Sequence, residues 1–86
     1  MTHTYQNRGV CSRSTTVTLS ENGIIQEVSV QGGCNGNLKG ICQLLQGMPA
    51  TEAIRRMEGT TCGPRKTSCP DQIAQALKAA LQEEGL

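Results

Sequence analysis

Five cysteines punctuate the 86 residues, and four of them stand where a protein core has little use for a thiol. Cys11 precedes a β-type run, Cys34 lies in the glycine loop QGGCNGN, and Cys62 lies in the loop GTTCGPR. Cys69 follows after six intervening residues, at the head of a helical pattern. Thiols in such places are open to three chemistries: a disulfide, a nucleophile, or ligation of a metal. Zinc in a structural site takes four tetrahedral ligands, and neighbouring glycines let the backbone wrap close to the ion. Cys11 with Cys34, and Cys62 with Cys69, supply the two halves of such a site. The same donors suit an iron–sulfur cluster chemically, but no spacing here matches the known cluster runs, so zinc ranks first.

The competing chemistries have fewer supporting residues. A helix start with Arg65 and Lys66 just upstream favours a sulfur that carries negative charge, which suits Cys69 to ligation and equally to a dithiol shuttle with Cys62. A nucleophilic cysteine normally needs a histidine base, and the only histidine is His3, expected to be a solvated terminal residue. No catalytic residue is therefore assigned. Cys42 falls in an apolar helical stripe and reads as buried packing. The glycine loop also has an anion-binding reading, in which Gly33, Asn35, Gly36 and Asn37 hold a nucleotide, a flavin or another anionic cofactor at a helix start. No complete phosphate-loop motif accompanies it, and the plainer reading is a tight turn with Asn37 capping the next helix. Around the sulfurs, the amides of Gly33, Asn35, Gly63 and Asp71 and the side chains of Asn35 and Thr67 are expected as hydrogen-bond donors. Arg13, Arg65 and Lys66 are placed to offset the negative charge of a four-thiolate centre.

The elements that must carry these residues are legible from periodicity. Asn22-Gly23 sits between two β-branched runs and predicts a hairpin, 14–21 with 24–31, closed by a two-residue type I′ turn. That turn sets Val17 opposite Val28, Thr15 opposite Val30, Leu19 opposite Gln26 and Glu21 opposite Ile24 on an apolar face. Ile25 then falls on the polar face with Glu27, Ser29 and Gln31. Continuing the register sets Cys11 opposite Cys34 on the core side, unless Gly32-Gly33 forms a bulge. HTYQNR upstream supplies a third strand. Leu38, Ile41, Cys42 and Leu45 mark a helix ending near Gly47, and Ala50, Ala53, Ile54 and Met57 mark a second, between Pro49 and Gly59. The last helix, 69–84, has the stripe Ile73, Ala76, Leu77, Ala80 and Leu81, with Ser68 and Asp71 as a capping box and Pro70 in the first turn.

Composition limits what such a domain does. The chain has no Phe or Trp and a single Tyr, so its core is aliphatic. Domains of this size gain only about 3–5 kcal/mol from one core, so a metal, a cross-link or self-association is expected as reinforcement. Eight basic against seven acidic residues, a net charge of +1, leave no basic face for nucleic acid, and none is expected as a partner. No apolar run is long enough to span a membrane, and the first residues lack a signal-peptide layout. The expectation is a cytoplasmic protein with free thiols.

TSCPDQIAQAL resembles the signature of the TSCPD domain, and GVCS, GGCNGNLKGI and CGPRKTSCPD resemble the other cysteine contexts of its small stand-alone members. The likeness runs over residues 9–81 and matches Cys11, Cys34, Cys62 and Cys69 in order, leaving Cys42 out. The TSCPD domain occurs near the C-terminus of adenosylcobalamin-dependent ribonucleotide reductases. The resemblance therefore implies an accessory module for a ribonucleotide reductase, in deoxyribonucleotide and DNA synthesis. These residues do not include the catalytic barrel of such an enzyme. The fold expected over residues 1–86 is a single α+β domain, an antiparallel hairpin or three-stranded sheet packed against two or three helices.

Overall fold

In the computed structural model the described residues are 2–33 and 35–85. Strands β1 (Thr2–Gln6), β2 (Ser12–Leu19) and β3 (Ile25–Gly32) precede helices α1 (Asn35–Leu45), α2 (Ala50–Met57) and α3 (Cys69–Glu84). The strands form one antiparallel sheet in the order β1-β2-β3, so the fold is α+β with three strands and three helices. One face of the sheet is closed by helices: α3 lies over β1 and β2, α1 over β3, and α2 packs on α3. The open face is polar, with Thr2 against Thr18 and Thr4 against Thr16 joined by hydroxyl hydrogen bonds of 3.0 and 3.1 Å.

The closed face explains how a chain without large aromatics builds a core. Val17, Leu19, Ile25 and Val28 from the sheet meet Leu38, Cys42 and Leu45 of α1, and Ile73, Ala76, Leu77 and Ala80 of α3. Leu19, Ile25, Ile73 and Leu77 are almost wholly removed from water, each worth about 1.5–3 kcal/mol by burial. The small alanines of α2 and α3, including Ala50, Ala53, Ala74 and Ala76, let helix and sheet approach closely. His3 is held in β1 rather than solvated: its Nε2 lies 2.9 Å from Oε2 of Glu84, whose side chain is almost fully buried at the end of α3.

The hairpin departs from its expected closure. Gly23 has φ +76 and its N–H donates to Ser20 O at 3.0 Å, while among the described residues no non-glycine residue has positive φ. A type I′ turn needs positive φ at both central residues, so Asn22-Gly23 cannot form one. The loop has three residues, Glu21, Asn22 and Gly23, with Gly23 in the left-handed position. Leu19 consequently pairs with Ile25, and the register steps by one before Thr18 and Glu27, leaving Gln26 bulged. Ile25 therefore points into the core, fully buried, while Ile24 is only half-buried. The pairs Val17 with Val28 and Thr15 with Val30 stand as expected.

A second step lies at the other end of the hairpin. Ser12 pairs with Gly32 and Ser14 with Gln31, so the extra residue is Arg13 on β2, not a glycine on β3. A bulge reverses side-chain parity. Ser12 thus takes the buried position and Cys11 becomes exposed.

The helix ends are satisfied by neighbours as much as by caps. Ala50 N–H, at the start of α2, donates to Gly23 O at 2.9 Å, and Ile25 exchanges bonds with Met48 O and Gly47 N. The α1–α2 connection is thereby laid along the start of β3. For α3, Ser68 is the N-cap and accepts from Asp71 N, Pro70 occupies the first turn, and Gly85 closes the C-terminus at φ +72. The Asp71 carboxylate does not complete a capping box, because it is engaged elsewhere.

Candidate metal centre

The hairpin base, the 58–68 connection and the head of α3 converge on one cavity of about 280 Å³. Cys11, Cys62 and Cys69 all line it, together with Asn37, Arg65 and the apolar side chains of Val10, Leu38, Ile41 and Pro70. Each sulfur arrives by a different device. Cys11 is turned outward by the bulge at Arg13. Cys62 opens a tight turn in which Arg65 N–H donates to Cys62 O at 3.0 Å and Gly63 takes φ +57, bringing Arg65 beside it. Cys69 is the first residue of α3 and is half-buried.

Cys34 and the side chain of Asn35 lie outside the described residues, but the glycine before Cys34 shows how close that loop comes. Gly33 has φ +77, and a Cβ there would stand 3.0 Å from Leu38 Cδ1, 3.1 Å from Ser12 Cβ and 3.4 Å from Cys11 Sγ. Both the backbone angle and the contacts call for glycine. The register that sets Ser12 against Gly32 brings Cys11 alongside Gly33; the expected opposition of Cys11 and Cys34 lies outside the described residues. Among the described residues no three His, Cys, Asp or Glu side chains are assembled as a cluster able to hold a metal ion. The three sulfurs line a common cavity without closing on one point. All four described cysteines, Cys42 included, are free thiols.

The loop residues proposed for an anionic cofactor separate on inspection. Helix α1 begins at Asn35, so Asn37 stands inside its first turn instead of capping it. Asn37 lines the cysteine cavity, whereas Gly36 is exposed with open space around it.

A polar network fixes the head of α3. Thr15 Oγ1 donates to Asn7 Oδ1 at 2.9 Å, Asn7 Nδ2 donates to Ser12 Oγ at 2.8 Å, and Ser12 Oγ lies 3.2 Å from Cys69 Sγ. Beside it, Gln72 accepts from Arg8 N at 2.9 Å and donates to Thr67 Oγ1 at 2.9 Å. Thr67 Oγ1 in turn donates a hydrogen bond to Asp71 Oδ2, and Gly59 N–H donates to Asp71 Oδ1 at 2.8 Å. Two of the donors expected around the sulfurs are thus committed elsewhere: Thr67 to the Asp71 carboxylate, and the Asp71 amide to Ser68. Ser12, Asn7, Thr15 and Gln72 were not singled out by sequence. Thr15 had a signal in its place opposite Val30 on the apolar face; Ser12, Asn7 and Gln72 are polar residues at positions that only tertiary packing buries.

Burial alone would push the Asp71 carboxyl up, but hydrogen bonds from Thr67, Gly59 and Gln75, with the charge of Lys78, outweigh it and hold the group below its ordinary 3.8. A carboxyl lowered in the folded state stabilises the protein fully above its unfolded value, and that contribution is lost as the pH falls through the folded one. Asp71→Asn is therefore expected to lower the denaturant midpoint at neutral pH, with the gap to the parent shrinking as the pH drops below 3.8. Parallel pH profiles for the two proteins would show that the carboxylate charge does not tie the 58–68 connection to α3.

The family model described as the TSCPD domain matches residues 2–81. No curated protein and no solved structure matches the chain. Among the described residues no helix is long and apolar enough to cross a membrane.

Proposed function

The chain belongs to the TSCPD domain family, and from that premise we propose that it is a zinc-binding accessory domain with Cys11, Cys34, Cys62 and Cys69 as ligands. The observation that carries this reading is the cavity lined by Cys11, Cys62 and Cys69, which brings the start of β2 together with the connection into α3, two segments distant in sequence. Cys11 Sγ would stand 3.4 Å from a Cβ placed on Gly33, the residue preceding Cys34. The donor set suits a thiophilic ion, and the apolar wall formed by Val10, Leu38, Ile41 and Pro70 would keep water from it. Arg65 at the cavity and Arg13 in the bulge offset the negative charge of the thiolates. Zinc bound there would cross-link the hairpin base to α3, reinforcement that a small aliphatic core otherwise lacks.

In this reading the domain works in the cytosol, where thiols stay reduced, and docks to or assists a ribonucleotide reductase in deoxyribonucleotide synthesis. Elemental analysis with thiol titration, on protein purified without chelator, tests the metal. One zinc per chain is expected, with four thiols protected until a chelator is added and the fold lost on chelation. Metal-free protein that forms a reversible Cys62–Cys69 disulfide would replace this reading with a dithiol shuttle. Nucleotide, flavin or iron–sulfur absorption in the purified protein would replace it with a cofactor-binding module at Gly33, Asn35, Gly36 and Asn37.

A further inference from the structure

The geometry points to Ser12 as the residue that positions the Cys69 sulfur and tempers the charge it offers a metal, through a hydrogen bond whose direction Asn7 and Thr15 impose. This inference rests on the metal reading above. A hydroxyl next to a sulfur can donate or accept, so the distance of 3.2 Å between Ser12 Oγ and Cys69 Sγ leaves the sense open. The rest of the chain of bonds closes it. Asn7 Oδ1 has no proton, so Thr15 must donate to it at 2.9 Å. In this orientation of the amide Nδ2 faces Ser12, and Nδ2 only donates, at 2.8 Å.

Ser12 Oγ already accepts from Asn7 and is buried, 4% exposed, with Cys69 as its one other partner among the described residues. Its single proton is satisfied only by pointing at the sulfur. Leaving a buried donor unsatisfied is costly, which holds the bond in this sense. Thr15, at 0% exposed, cannot turn to water to relax the chain of bonds. Three donors in series therefore end on a sulfur lone pair, on the wall of the cavity that Cys69 lines. Groups of this kind around metal ligands typically contribute about 10–100-fold in affinity.

Cobalt(II) is the probe, because its thiolate charge-transfer band reports the electron density on sulfur. Ser12→Ala is expected to weaken zinc binding about 10–100-fold in chelator competition and to move the cobalt band to lower energy. Gln72→Leu cuts the neighbouring ties of the same loops without touching a sulfur, and should leave the band in place. An unmoved band in Ser12→Ala overturns this inference while leaving the metal reading intact. Equal movement in both variants reduces Ser12 to a purely structural part and also overturns it. A parent protein that takes up neither cobalt nor zinc sinks the metal reading and this inference with it. Should Ser12→Ala fail to fold, the parent loaded with a spin-active cadmium isotope serves instead. The Ser12 hydroxyl proton should then show scalar coupling to the metal, and its absence counts against the bond.

Discussion

Replacing Cys69 by serine should abolish zinc uptake and unfold most of the domain, whereas Cys42→Ala should do neither. The two thiols differ in surroundings rather than in chemistry. Cys69 stands at the head of α3, lines the cavity shared with Cys11 and Cys62, and touches Ser12. Cys42 packs in the core with 8% exposure, and burial pushes its thiol up, away from the charged form that ligation needs. Metal binding in small structural sites is worth roughly 10–16 kcal/mol of apparent free energy, against roughly 3–5 kcal/mol from a core of this size. Loss of one ligand therefore removes more than the core can replace.

A serine at position 69 can still exchange a hydrogen bond with Ser12, so a collapse would report the lost ligand and not a broken polar contact. Cys42→Ala removes one small buried side chain, about 1 kcal/mol. Zinc content and thermal unfolding of the two variants check the contrast. Comparable losses in both would mean that the cysteines have been divided wrongly between ligation and packing.

Ile25→Ala should destabilise the protein by about 2–5 kcal/mol, and Ile24→Ala by clearly less. Ile25 is fully buried opposite Leu19, where truncation leaves a cavity among Leu19 and the helix residues of the core. Ile24 is half-buried beside Pro49 and can give part of its surface to water. A two-residue turn at Asn22-Gly23 would reverse the order, since it puts Ile24 on the apolar face and Ile25 on the wet one. Urea titrations of the two variants thus decide the hairpin register as well as the core. A larger loss at Ile24 would rule out the three-residue loop.

The same pair of isoleucines shows where reading a chain from its residues stops. Alternation in 14–19 and 27–31 was enough to pair Val17 with Val28, because a one-residue slip there would expose the whole apolar set. Helical spacing was enough for α1, α2 and α3, and Ser68 with Pro70 located the start of α3 closely. The α+β class, an antiparallel hairpin or three-stranded sheet with two or three helices, and the burial of Cys42 followed from such local patterns.

What local patterns do not hold is the choice between two turns that the same residues can make. Glu21-Asn22-Gly23 closes as three residues in a fold where Gly23 O accepts from Ala50 and Ile25 bonds with the 47–48 backbone. Those partners come from the α1–α2 connection, more than twenty residues away along the chain. At the other end, the bulge at Arg13 buries Ser12 and turns Cys11 out, and the buried Ser12 then meets Cys69 from the far end of the sequence. Chain context alone marked four of the five sulfurs as candidates for ligation. Only tertiary packing decided which backbone steps aim them and which hydroxyl meets them, because a bulge changes side-chain parity through contacts that are distant in sequence.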